Sequence, residues 1–508
     1  MKYRLQYLRA IAAFMVVVWH ASYHLWNTRA DNSVLLHTPG ISGAFGVTLF
    51  FVISGYLMAT LAGKNSAGQF FLHRVIRIYP VYWIVVLLFF FGSSVLGYGF
   101  TFDLASFLLL PGPGRIYPLG VEWTLPFELS FYLVVFFIVL FRATRAVPVI
   151  AALWALGILA VVQFAPGISQ GQFPRLSHLL VSQWTLAFAL GMLVPTIIRY
   201  GIVSSFSWLL GLAIVASAAV FPQHAAYLLP AGCLCLVHWA VIPRPEGVEK
   251  AREIKWLTRL GDWSYALYLC HVPIMLWIFR LAPAHWSGSL LWVASIVLSL
   301  LGAALIGRVD LWLYRRLKGI VDGFSKTTCA RLGPAVAACL VAYSGHAEVR
   351  AWSDSQLAAR ADELGHEISR SQPVSLDALA DAAQRAHLVP APELVGHADS
   401  LTCGADGVMQ IRGWAADREA GSGGIAVLVF QGGGYRGSAL PKFARADVVQ
   451  VLKLSRLGVT PGFEADVGTH NDTSAGCSQP VLLVVKDSRF ALLPVDSHFP
   501  APSASRSP

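Results

Sequence analysis

Apolar residues run along the chain in blocks of roughly 17–25, the length an α-helix needs to cross about 30 Å of hydrocarbon. Short polar and basic segments separate the blocks, which predict membrane spans near 5–26, 42–62, 79–100, 124–141, 147–165, 177–198, 205–221, 224–242, 262–281 and 287–313. A stretch at 328–345, weakened by Arg331 and Gly333-Pro334, is a candidate eleventh span. The pattern then changes twice. Residues 346–398 place Ala, Glu and Leu at helical spacing, which predicts a helical linker. Residues 399–495 carry short β-rich runs, Val408–Trp414, Ile425–Phe430 and Val481–Val485, set apart by glycine turns at 421–424 and 432–434. Residues 496–508 have the composition of a disordered tail. The expected fold is an all-α polytopic membrane domain over 1–320, with ten core transmembrane helices and the eleventh at 328–345, followed by a small C-terminal β-sandwich-like domain.

Composition agrees. Of 508 residues, 56% are hydrophobic and 13% charged, about half the charge of a soluble protein. Mean hydropathy is +0.59. A purely soluble enzyme is excluded. The net charge of +10 does not call for nucleic acid, because Lys and Arg gather in cytoplasmic loops for topological reasons. With the N-terminus inside, the inner segments hold seventeen basic residues and the outer loops four, Arg29, Arg115, Arg175 and Arg280. That bias predicts a multi-pass protein of the bacterial cytoplasmic membrane with a cytoplasmic N-terminus. The first apolar run continues through Trp19, His20 and Tyr23 without a small-x-small cleavage site, and so reads as an uncleaved span. A crossing at 328–345 would carry the β domain outside, where Cys403 and Cys477 can form a disulfide. The other five cysteines lie in apolar stretches as packing residues. Cys233 and Cys235 form C-x-C with no second pair at metal-ligand spacing, so no metal site is expected.

Ionisable groups within spans are costly and mark function. The first span holds Arg9 and His20. Eleven residues advance a helix by about 16 Å and about three turns plus 20°, so both point the same way. His24 follows one turn later. Taken alone, Arg9 could snorkel and His20 could be a packing histidine. Arg74 and Arg77 form an i,i+3 pair on a short amphipathic turn over 70–80, suited to bidentate contact with phosphate oxygens. The positive-inside rule also accounts for basic residues there. Glu122 and Glu128, with Trp123 between them, stand at the outer entrance of the fourth span, where a carboxylate needs a cationic or hydrogen-bonding partner. Ser264, Tyr268 and His271 share one face of the ninth span and read first as an interhelical hydrogen-bond stripe. Phosphate-loop, G-x-S-x-G, H-E-x-x-H and dinucleotide signatures do not occur.

Five pieces in order resemble the acyltransferase-3 family of integral-membrane O-acyltransferases. They are Leu8-Arg9-Ala10 through His20, Gly46-Val47 through Tyr56, Arg74-x-x-Arg77-Ile78-Tyr79-Pro80, Trp123-Thr124-Leu125 with Glu128 and Tyr132, and Ser264-Tyr265-Ala266-Leu267-Tyr268 with His271. The resemblance covers about the first 320 residues. It implies an acyl-CoA donor on the cytoplasmic side, usually acetyl-CoA, with no permanently bound cofactor. The acceptor it implies is a hydroxyl on an extracytoplasmic glycan such as O-antigen lipopolysaccharide or exopolysaccharide. On that reading Arg74 and Arg77 hold CoA phosphates, Arg9 sits near the thioester and Trp123 lines the pocket. His20 is then the general base or acyl carrier, oriented by Glu122 or Glu128. Ser264, Tyr268 and His271 support the site. A glycan or lipid-linked-substrate transporter is the rival reading, because intramembrane charges also mark transport pathways. A bare membrane anchor would leave Arg9, His20 and Glu128 costly without purpose.

Overall fold

The computed structural model describes residues 3–96, 104–111, 117–165, 176–202, 206–243, 253–371, 375–403, 408–432, 434–442, 445–452, 461–468 and 480–493. The chain divides into two compact units, Met1–Glu348 and Val349–Pro508.

The first unit is helical. It contains α1 (Tyr3–Arg29), α2 (Ile41–Leu61), α3 (Ala67–Val95), α4 (Leu104–Phe107), α5 (Thr124–Leu140), α6 (Val147–Phe164) and α7 (Leu176–Leu179). There follow α8 (Gln183–Arg199), α9 (Ser207–Val220), α10 (Ala225–Val241), α11 (Lys255–Asp262), α12 (Ser264–Leu281), α13 (Gly288–Asp322) and the start of α14 (Lys326–Ser369). Among the described residues, α1, α2, α3, α6, α10, α12 and α13 are long and apolar enough to cross a membrane, and α5, α8 and α9 are shorter apolar helices. Helix α14 is not among the seven, although it runs through both 328–345 and the start of the expected linker.

Two expectations are corrected. The segment 70–80 is not a separate turn ahead of a span at 79–100: α3 is one helix from Ala67 to Val95. Ser66 caps it by accepting from the Gln69 amide at 3.3 Å, and Pro80 sits within it. Residues 97–100 lie outside the described residues. Strand pairing also starts inside the expected helical linker: β1 pairs at Val389–Pro390, and β2 begins at Leu394, where Leu394 and Ala398 enter an apolar core.

Helix α1 is fastened at both ends. Arg4, 2% exposed, donates to the Trp239 and Ile242 carbonyls at the end of α10, at 2.6 and 2.9 Å. Arg29 donates to the Phe279 and Ala282 carbonyls at the end of α12. A guanidinium at a helix C-terminus meets orphan carbonyls and the negative end of the macrodipole together. Gln6 donates to Asp262 at the end of α11, two residues before α12 begins. Position 6 therefore lies beside 262 and position 29 beside 279, and α1 and α12 run parallel. Elsewhere the bundle closes by backbone approach: a Cβ at Gly55 on α2 would sit 2.1 Å from the Phe188 carbonyl, and one at Gly191 on α8 would sit 2.2 Å from the Val52 carbonyl. Small residues let helices touch where lipid provides no hydrophobic drive.

The second unit contains the rest of α14, α15 (Leu376–Arg385), α16 (Ala446–Val451) and eight strands: β1 (Val389–Pro390), β2 (Leu394–Cys403), β3 (Val408–Asp417), β4 (Ile425–Gln431), β5 (Gly434–Ala439), β6 (Gly462–Gly468), β7 (Val481–Lys486) and β8 (Arg489–Leu493). One sheet has the order β1-β8-β7-β4-β5 and the other β2-β3-β6. Period-2 alternation assigns the faces. Val427, Val429, Leu482 and Val484 join Ile411, Ala415, Phe463 and Val467 of the other sheet in one apolar cluster. Leu428, Phe430, Leu483 and Val485 join Ala361, Ile368, Leu379 and Ala383 of α14 and α15 in another. Strand β4 is consequently buried throughout. The side chain of Cys403, Cys477 and residues 496–508 lie outside the described residues.

Asp417, 1% exposed, accepts from Lys486 Nζ at 2.8 Å, from Arg489 at 3.3 Å, and from the Glu419 and Ala420 amides at 2.9 and 3.0 Å. Burial alone would raise its carboxyl; the ammonium and the two amides outweigh that and hold it at about 2. The stabilisation is present above the ordinary carboxylate pKa and is lost as pH falls through the folded value. Hydrogen-exchange protection of Ile425–Gln431, corrected for intrinsic rate, should therefore fall between pH 4 and 2 in the native chain, with a weaker pH dependence in Asp417→Asn. In the bundle, Gly55→Leu forces α2 off α8 and should lower the melting temperature of the detergent-solubilised protein or prevent its recovery, whereas Gly157→Ala, which meets nothing within 4 Å, should not.

Candidate active site

Five helices place the polar residues of the first unit around one cavity of about 150 Å³. Its lining includes Arg9 from α1, Phe50 and Ser54 from α2, Arg74 and Arg77 from α3, Glu128 and Tyr132 from α5, and Ser264, Tyr265 and Tyr268 from α12. Residues 250 positions apart thus converge because α1 and α12 run side by side. The i,i+3 spacing of Arg74 and Arg77 aims both guanidiniums at the cavity.

The three arginines are not equivalent. Arg77 Nη1 bonds both oxygens of Asp310 on α13 at 2.8 Å and lies over the Tyr265 and Tyr314 rings. Its side chain is 19% exposed and that of Asp310 4%. Arg74 lies 5.9 Å from the Phe70 and Tyr132 ring centroids, makes no ion pair among the described residues, and has a buried Nε with no hydrogen-bond partner. Among the described residues, Arg9 hydrogen-bonds Gln6 Oε1 alone, at 3.4 Å. Glu128 accepts from Tyr132 at 3.1 Å and from Ser54 at 3.4 Å. Ser264, fully buried in the lining, has an Oγ without a partner. Two open guanidiniums and an unspent hydroxyl suit a slender ligand with anionic and carbonyl groups.

The histidines stand one helical turn beyond the cavity. Tyr268 lines it, with its ring 6.1 Å from that of His271. His271 is fully buried; its Nδ1 lies 3.0 Å from the Leu267 carbonyl and its Nε2 lies 3.2 Å from His20 Nδ1. His20 Nδ1 also lies 3.0 Å from the Val16 carbonyl. A carbonyl only accepts, so Nδ1 carries the proton on both rings. His271 Nε2 then receives the His20 Nδ1–H, and His20 Nε2 retains its lone pair.

Other expected site residues lie apart from His20. Glu122, 0% exposed, folds back on its own loop and accepts from the Leu119 and Val121 amides at 2.7 and 3.1 Å. Trp123 packs on Trp184 and Phe127. Glu128 belongs to the arginine cavity. The partner of the His20 imidazole is therefore His271. The sequence signal was the helical stripe Ser264, Tyr268, His271, whose first two members line the cavity. Among the described residues no group of three His, Cys, Asp or Glu is placed to hold a metal ion.

The apolar helices thus enclose an arginine-lined cavity, with the His20–His271 pair one turn beyond Tyr268. A family model described as an acyltransferase domain matches residues 2–308, and the chain belongs to this acyltransferase-3 family. It is similar to the acyltransferase MdmB of Streptomyces mycarofaciens, 29% identical over 59% of this chain and 86% of that protein. It is also similar to the exopolysaccharide production protein ExoZ of Rhizobium meliloti, 28% identical over 45% of this chain and 75% of the relative. With the peptidoglycan O-acetyltransferase OatA of Listeria monocytogenes it shares 26% identity, over 53% of this chain and 48% of that protein. No solved structure matches the chain with significance. The protein is an integral-membrane acyltransferase.

The unequal arginines lead to a stability test in detergent. Removing one partner of a buried ion pair costs about 3–5 kcal/mol, so Arg77→Ala and Asp310→Ala should each lower the melting temperature markedly. The double variant should lose less than the sum of the two. Arg74→Ala, which breaks no ion pair, should melt at or above the native temperature.

Proposed function

We propose that the protein moves an acyl group, acetyl in the simplest case, from cytoplasmic acyl-CoA to a hydroxyl of an extracytoplasmic glycan. The seven long and three shorter apolar helices are taken as ten spans with the N-terminus inside, which the seventeen-to-four loop bias supports. Helices α1 and α12 then both run outward, in keeping with their parallel packing. Arg9 and the cavity lie toward the cytoplasm, and His20 lies about 16 Å further out.

In this reading Arg74 and Arg9 hold anionic groups of the donor, while Arg77 is held in place by Asp310. Ser264 and Tyr268 flank the acyl-bearing arm. The single observation that carries the reading is the hydrogen bonding of His20, which leaves Nε2 unprotonated and aimed away from His271. As the acceptor oxygen attacks the thioester carbonyl, Nε2 takes the hydroxyl proton. The carbon–oxygen bond forms, the carbon–sulfur bond breaks, and the proton passes to the leaving thiolate. The Nδ1–H that His271 accepts steadies the imidazolium in between, much as a second group orients a base elsewhere. The relatives named for exopolysaccharide production and for peptidoglycan O-acetylation favour a glycan acceptor. The transporter reading has no comparable observation.

The test uses membranes carrying the native chain, His20→Ala or His271→Ala, supplied with acetyl-labelled acetyl-CoA. Label should enter envelope glycan with the native chain, fall at least 100-fold with His20→Ala, and fall by a smaller factor with His271→Ala, since general base catalysis contributes about 10²–10⁴. Full transfer by a folded His20→Ala protein would end the proposal.

A further inference from the structure

Level with His20 and beyond it, α1 carries Trp19, Tyr23 and Trp26, at i, i+4 and i+7, on one helix face. Trp19 stacks with Tyr23 at 6.3 Å between centroids, and Tyr23 meets Trp26 at 6.0 Å. The stripe begins inside the bundle, where a Cβ at Gly43 would collide with the Trp19 ring, and emerges at Tyr23 and Trp26, 38% and 44% exposed. Beside it runs a second row. His24 stacks on His20 at 5.8 Å and meets the edge of Tyr23 at 5.2 Å. Its Nδ1 is buried without a hydrogen-bond partner. At the outer end of the helix, Thr28 and Arg280 line a cleft.

An aromatic belt at a membrane surface keeps its rings at one depth. These three span seven residues, about 10 Å along the helix axis, and Tyr23 meets the edge of His24, which itself stacks on His20. Flat amphipathic rings with a few polar groups at their edges are what a saccharide needs. The C–H face of a pyranose lies on the negative face of an aromatic ring, and its hydroxyls reach the polar rim. We propose that Tyr23 and Trp26, with His24 at the edge of Tyr23, form the acceptor subsite, a platform that stacks pyranose rings and delivers a hydroxyl to His20. This rests on the acyl transfer proposed above.

The experiment measures transfer from labelled acetyl-CoA to envelope polysaccharide stripped of its esters by mild alkali, with the native chain, Tyr23→Ala, Trp26→Ala and Trp26→Phe. Loss of one stacking ring should raise the apparent KM for polysaccharide by about 3- to 10-fold and leave that for acetyl-CoA within twofold, with Trp26→Phe close to native. An unchanged polysaccharide KM in both alanine variants overturns the subsite. So does a loss of protein from the membrane in which the remaining enzyme keeps native constants, the behaviour of an interfacial anchor. A native chain that binds acetyl-CoA and labels no glycan overturns the acyl-transfer reading itself, and the subsite with it.

Discussion

The parallel packing of α1 against α12 is the constraint on which the site depends. It brings His20 to His271 and Arg29 to Phe279, pairs 251 and 250 residues apart, while Gln6 meets Asp262 just before α12 begins. A slip of one residue on either helix turns a side chain by about 100° and separates the imidazoles. The register is held by charge-assisted bonds at the helix ends. Arg4 and Arg29 each satisfy carbonyls that no amide reaches, in surroundings where an unsatisfied carbonyl costs several kcal/mol. The same guanidiniums would be expensive if unpaired. Anchoring α1 and satisfying its neighbours are thus one act.

Within that frame the cavity distributes its charges by purpose. Arg77 gives its hydrogen bonds to Asp310 and ties α3 to α13; Arg74, one turn earlier on the same face, keeps its bonds unspent. Residues three apart in sequence, alike in type and in exposure to the cavity, differ because only one has a carboxylate opposite.

Much of the helical architecture was legible because hydrocarbon imposes a length on every apolar run. Each of the ten stretches read from the sequence overlaps a helix, and the three β-rich runs lie in strands β3, β4 and β7. The continuity of α3 was not legible. The basic pair read as a short amphipathic turn ahead of a span at 79–100, yet the helix runs on through Pro80, since a proline inside a packed membrane helix loses one hydrogen bond without ending it. Of the site, the shared face of Arg9 and His20 was read from helical geometry alone, whereas a joint site for Arg74, Arg77, Glu128 and Ser264 came only from the family resemblance. Partner choice did not follow. Asp310 lies 233 residues from Arg77 and His271 lies 251 from His20, and no local pattern ranks one distant acid or imidazole above another. Glu122 misled because a carboxylate that satisfies its own loop amides looks, in sequence, like one awaiting a cation.

Strand order in the C-terminal unit has a bearing on biosynthesis. Strand β4 lies between β7 and β5, and β1 sits at the sheet edge beside β8, so β1 and one side of β4 wait for the last described strands to leave the ribosome. Until residues 481–493 emerge, the wholly apolar run Ile425–Phe430 has an open edge, the kind of edge that invites pairing between chains. Loop closure over some fifty residues must precede its protection, and such closures are slow. The interval between translation of β4 and of β7 is when a nascent chain is most exposed to aggregation, and a chaperone would do most good there.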